Sequence, residues 1–170
     1  MTYGLISALC SIVLTLIAYF LGYQGENMAN GQWFQWIAFA AGAVVTFLGI
    51  RAVREESPDK SLTYGKGVGT GVKICLIGSL ISGLYAFIHF KFISTEFVDY
   101  LVQMVREQQS AKGVGDAQLD QMEKGMRFMY GPVGLAILSP IMGTLIGTVY
   151  SLIFSAILKK APPGGHPPPM

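Results

Sequence analysis

Four stretches of this chain, at about 3–22, 33–50, 72–90 and 133–158, are predominantly apolar and contain no aspartate or glutamate. Each approaches or exceeds the roughly 20 residues that an α-helix needs to cross a bilayer core. No other feature constrains the fold as much. In hydrocarbon every backbone N–H and C=O needs an internal partner, which leaves helices as the economical solution for runs of this length. The overall composition agrees. Hydrophobic residues make up 52% of the chain and charged residues 13%, against about 25% charged in a typical soluble domain. The expected fold class is an all-α integral membrane protein with four transmembrane helices, and its first partner is the lipid bilayer. A net charge of +2 suggests no nucleic-acid partner.

The first stretch could be mistaken for a secretion signal. Residues 1–22 carry no Lys or Arg, and no small-x-small cleavage site follows, so the stretch is expected to remain as a span. Cys10 and Cys75 both lie in apolar runs. Two such cysteines provide neither a disulfide framework nor a metal-ligand set, and no metal or cofactor is expected.

Basic residues set the direction of insertion. The first connection has none. The second carries Arg51, Arg54, Lys60, Lys66 and Lys73, and the last span is followed by Lys159 and Lys160. With four spans, these seven share one side with both termini, which are therefore expected in the cytoplasm. Tyr19, Tyr23, Trp33, Phe34 and Trp36 cluster around the first connection, as an interfacial aromatic belt would.

The third connection is too long for a plain loop. Residues 94–130 are expected to form an extracytoplasmic amphipathic helical hairpin. Phe97, Tyr100, Leu101, Met104 and Val105 recur at helical spacing, as do Leu119, Met122, Met126 and Met129. Ser94 and Asp116 are the expected N-caps. Asp120–Lys124 and Glu123–Arg127 form i,i+4 pairs with the acid first. The two helices either fold onto each other or the membrane surface, or offer a Met-rich groove to a partner. In the second connection Thr63 is the expected cap of a helix from Tyr64 into the third span. Gly65, Gly67, Gly69 and Gly71 lack the strand and the Gly-Lys-Ser/Thr ending of a phosphate loop. The tail 161–170, "APPGGHPPPM", is proline-rich and expected to be disordered, with His166 isolated in it.

Small residues recur every fourth position within the apolar runs. The fourth span has Ser139, Gly143, Gly147, Ser151 and Ser155; the third helix has Gly67, Gly71, Cys75, Ser79 and Gly83. Shorter ridges are Ser7, Ser11 and Thr15 in the first span and Ala38, Gly42 and Thr46 in the second. Membrane helices associate where small residues let their backbones approach. Mutual packing is expected, within one bundle or between copies, with Gly143 and Gly147 meeting Gly71, Cys75 or Ser79; the alternative is that the stripes line a polar path. Pro140 removes one backbone donor, frees the carbonyl of Ala136 and is the expected kink. Lys73 and His89 are the only strongly polar candidates for function inside the spans. The absence of intramembrane acids argues against proton-coupled transport, and no catalytic constellation is present.

"FLGIRAVREE", "LTYGKGVGTGVKICLIGSLISGLYAFIHFKF", "STEFVDYLVQ" and "GTLIGTVYSLIFSAILKK" together resemble a bacterial membrane-protein family catalogued as domain of unknown function 4199, over roughly residues 3–160. The resemblance implies a four-helix protein of the bacterial inner membrane and carries over no activity or site residue. The functional expectation is a non-enzymatic component that assembles with itself or another membrane protein. The alternative is a small transporter or channel subunit.

Overall fold

The computed structural model describes residues 1–161. The proline-rich tail from Pro162 onward, with His166, lies outside the described residues. Six α-helices follow one another: α1 (Thr2–Phe20), α2 (Phe34–Glu55), α3 (Tyr64–Phe92), α4 (Phe97–Ser110), α5 (Asp116–Tyr130) and α6 (Pro132–Leu158), with a short 3-10 turn at Met28–Gly31. Helices α1, α2, α3 and α6 are long and apolar enough to cross a membrane. The chain is a multi-pass membrane protein, and α4 and α5 form a short pair between its third and fourth spans.

Two spans are longer than the apolar runs suggest. Helix α2 continues to Glu55, and α3 begins at Tyr64, where the Thr63 hydroxyl accepts from the Lys66 N–H. The glycines at 65–71 are therefore helical. Gly67 and Gly71 face α6, whereas Gly65 and Gly69 have open space beside them. Their low helix propensity is outweighed by the packing of the alternate pair.

Helix α3 is the hub, packing against α1, α2 and, most extensively, α6. It runs parallel to α1: Gly4 lies against Ile74 and Ile77, Ser7 against Gly78, and the Tyr19 ring against His89. It runs antiparallel to α6. The end that carries the α2–α3 connection is closed by Ile50, Leu62 and Leu158, with Phe47, Val53 and Phe154 around them. Leu62 and Lys160 also exchange both backbone hydrogen bonds, at 3.0 Å each. In the same connection the Ser57 and Ser61 hydroxyls and the Ser61 N–H donate to Asp59. These bonds favour the charged carboxylate and hold its pKa below the usual value.

The α4–α5 pair folds onto itself. Val102 and Leu119 are buried between the helices, with Val105, Met122 and Met126 beside them. Arg106 reaches Asp120 at 3.0 Å and Glu123 at 3.1 Å, and Arg127 reaches Asp99 at 2.6 Å and Glu123 at 2.9 Å. The pairing across the hairpin takes Asp120 away from Lys124. The caps also differ from the sequence reading. Glu96 and Gly115 are the N-caps of α4 and α5. Ser94 is buried and its N–H is bonded to the His89 carbonyl, while Asp116 is the first helical residue. There its charge favours the helix dipole without capping.

Candidate functional site

The α3–α6 seam forms one wall of the site. Gly67 lies against Ser155, Gly71 against Ser151, Cys75 against Gly147 and Ser79 against Gly143. Each step of four along α3 is matched by a step of four back along α6. A methyl carbon built on Gly143 would stand 2.6 Å from the Ser79 Cβ, and one on Gly67 would stand 2.6 Å from the Ser155 Oγ. The two backbones are as close as glycine allows. At the last step Gly83 faces the Ala136 carbonyl and the Pro140 ring, each 3.2 Å from where its Cβ would be. Helix α6 runs unbroken through Pro140, and Gly83 occupies the space beside the carbonyl that the proline frees. The hydroxyls mostly bond along their own helix: Ser139 to Leu135, Thr144 to Pro140, and Ser151 to Gly147. Ser155 is fully buried, and its hydroxyl has no partner among the described residues. Its role at the seam is its size.

Helix α2 meets α3 closely only near the Leu62 end. There Ile50 lies against Gly71, Gly49 against Ile74, and the Thr46 hydroxyl stands 3.3 Å from the Cys75 sulfur. The Thr46 hydrogen goes to the Gly42 carbonyl, so the Cys75 thiol is the donor between the two. Toward the hairpin end α2 leans away. A chamber of about 350 Å³ opens there, lined by all four spans. The α1 wall carries Ser7, Ser11 and Thr15; the α3 wall carries Gly78, Ser79, Ser82 and Ala86. The α2 wall is wholly apolar, formed by Ala38, Phe39, Ala41, Gly42 and Val45. On α6 the lining includes Ser139, Gly143 and Tyr150, and the Tyr150 hydroxyl donates to the Phe39 carbonyl at 3.4 Å. Among the described residues, no Asp, Glu, Lys, Arg or His lines the chamber. On α3 the lining runs from Cys75 to Phe90, a rise of about 22 Å at 1.5 Å per residue.

Gly42 distinguishes the chamber from the seam. A Cβ built there meets no atom within 4 Å. A mid-helix glycine costs about 1 kcal/mol relative to alanine, and here no close helix approach offsets it. The small ridge of α2 thus divides: Thr46 packs, while Ala38 and Gly42 hold space open.

The family described as "Protein of unknown function (DUF4199)" matches residues 2–160. The chain belongs to that family. No curated protein and no solved structure matches it.

In this DUF4199 protein the two polar candidates of the spans lie apart. Lys73 is exposed and borders a separate cleft with Met1, Tyr3 and Gly49. His89 is completely buried. Its Nε2 lies 2.8 Å from the Gln24 Oε1 and its Nδ1 lies 3.1 Å from the Tyr85 hydroxyl. Gln24 in turn donates to the Thr15 carbonyl at 2.9 Å. That bond fixes the amide orientation, so Nε2–H donates to Gln24 and Nδ1 accepts from Tyr85. The neutral imidazole satisfies every member of the chain. Tyr19 and Phe90 set their rings edge-on against His89, with centroids 5.5 and 5.0 Å away. The network fastens the loop after α1 to the end of α3, at the hairpin end of the chamber. Sequence reasoning missed Gln24 because a loop glutamine carries no periodic signal. It also set a polar lining aside in favour of packing, although the ridge at Ala38 and Gly42 was visible.

Proposed function

We propose that this membrane protein is a non-enzymatic component of the bacterial inner membrane that houses an uncharged occupant in the chamber between its spans. The observation that carries the reading is the chamber itself. Its volume lies within the range of ligand sites, about 300–1,000 Å³, and among the described residues its lining is free of charged side chains. Desolvating a charged ligand there would be expensive. The stripes of α3 and α6, which would support assembly between copies, are spent on each other within the chain.

Cys75 lies in the lining and is a built-in probe. In a Cys10→Ser background, a small neutral methanethiosulfonate should modify it at least about tenfold faster than a permanently cationic one of similar size, because the charged reagent must shed its water to enter. Equal rates, or no reaction with either, would end this reading. A transporter reading is also supported by the chamber, which reaches mid-membrane from the hairpin end. It would require the Ile50–Leu62–Leu158 closure to open. Flux of a neutral solute in liposomes is its test.

The orientation follows from charge. Arg51, Arg54, Lys60, Lys66, Lys159 and Lys160 gather at the Leu62 end, with Lys73 about two turns along α3 from Lys66. The positive-inside rule puts that end, and both termini, in the cytoplasm and the hairpin outside. Asn30→Cys and Glu56→Cys should react with an impermeant thiol reagent from opposite faces of the membrane; labelling from one face alone would reverse the assignment.

A further inference from the structure

We propose that the occupant is an uncharged amphiphile, lying with its hydrocarbon part against α2 and its hydrogen-bonding group toward Ser11 and Ser82. The inference rests on the chamber reading above and specifies the ligand class. Three observations carry it. The two sides of the chamber differ in chemistry: α2 offers only apolar side chains, whereas α1 and α3 offer a row of hydroxyls. Because α1 and α3 run parallel, with Ser7 against Gly78, Ser11 and Ser82 stand one turn farther along at matching depth. The hydroxyls of Thr15, Ser79 and Ser139 are bonded to carbonyls of their own helices. Ser11 and Ser82, by contrast, engage no protein partner among the described residues, although both line the chamber. In a low-dielectric site such hydroxyls gain most from a ligand hydroxyl or carbonyl. The third observation is Gly42, whose missing side chain leaves room on the apolar side without serving a helix contact.

A photoreactive octanol, carrying a diazirine on its alkyl chain, tests this on the purified full-length protein in mild detergent. Mapped adducts should fall on the α2 residues that line the chamber, not on the lipid-facing Leu9, Val13 and Leu84, which are exposed. Gly42→Leu should remove those adducts while leaving the melting temperature unchanged or raised, because the new side chain enters open space. Ala38→Leu serves the same purpose if Gly42→Leu does not fold. Ser11→Ala with Ser82→Ala should weaken octanol labelling about fivefold, the loss expected for one hydrogen bond. The same pair should leave labelling by a photoreactive octane unchanged. Adducts confined to the lipid face, or a serine pair without effect, would overturn the inference, as would preferential labelling of the chamber by a photoreactive phospholipid chain. If octanol fails while Cys75 still favours the neutral reagent, the chamber reading stands and only the ligand class falls.

Discussion

Gly147→Leu should lower the thermal stability of the detergent-solubilised protein by an amount that Ile153→Phe does not approach. Even a single methyl carbon on Gly147 would collide with the Cβ and sulfur of Cys75, and the Cys75 backbone stands close behind them. Relief would require α3 and α6 to separate along the whole seam, because the neighbouring steps are equally close. Overpacking of this kind costs typically about 1–3 kcal/mol, and a backbone-limited contact belongs at the upper end. Ile153 is half exposed on the lipid-facing side, where shape is weakly constrained and a change within about 0.5 kcal/mol is expected. Equal melting curves for the two variants would show that the seam does not carry the bundle.

The second large effect concerns His89. His89→Leu should destabilise by about 2–4 kcal/mol, since it strands the Gln24 carbonyl oxygen in a buried site and removes the acceptor of the Tyr85 hydroxyl. Gln24 is itself buried, so water cannot readily replace the imidazole. The diagnostic is non-additivity. The double variant His89→Leu, Gln24→Leu should cost less than the two single changes together, because each single change leaves an unpaired polar group that the double removes. Simple additivity would mean that the two side chains do not depend on each other.

The spans were legible because length and apolarity suffice to identify them. The start of α3 was legible from the Thr63 cap, although glycines 65–71 argue against helix locally; α6 opposite explains why they hold it. The seam was legible as periodicity, since Gly143 and Gly147 stand at the spacing that brings one face of a helix together. Periodicity does not say what lies opposite, however. The same pattern on α2 means contact at Thr46 and empty space at Gly42. A ridge of small residues tells how near a neighbour could come, not whether one does. His89 was visible as an unusual residue in a span. Its partner Gln24 sits in a loop 65 positions away, and only tertiary structure joins them. The caps at Ser94 and Asp116 were misplaced for a related reason. Capping propensity is local, while the turn after α3 is set by the backbone bonds that return to His89.

The regularity of the seam also creates an ambiguity that the molecule resolves elsewhere. A ladder with equally spaced rungs can be mounted one rung out. Sliding α6 by a single turn would set Gly67 opposite Gly147 plus four, that is Ser151, then Gly71 opposite Gly147, Cys75 opposite Gly143 and Ser79 opposite Ser139. Every one of these pairings is small against small. The stripe therefore specifies proximity but carries almost no information about register. That information resides at the ends of the ladder. At one end the paired backbone bonds of Leu62 and Lys160 would be lost by the slip. At the other, Gly83 would leave the Pro140 ring and meet Leu135. Two non-repeating clasps index a repeating interface, so the alignment of the two helices is held by residues outside the motif that draws them together.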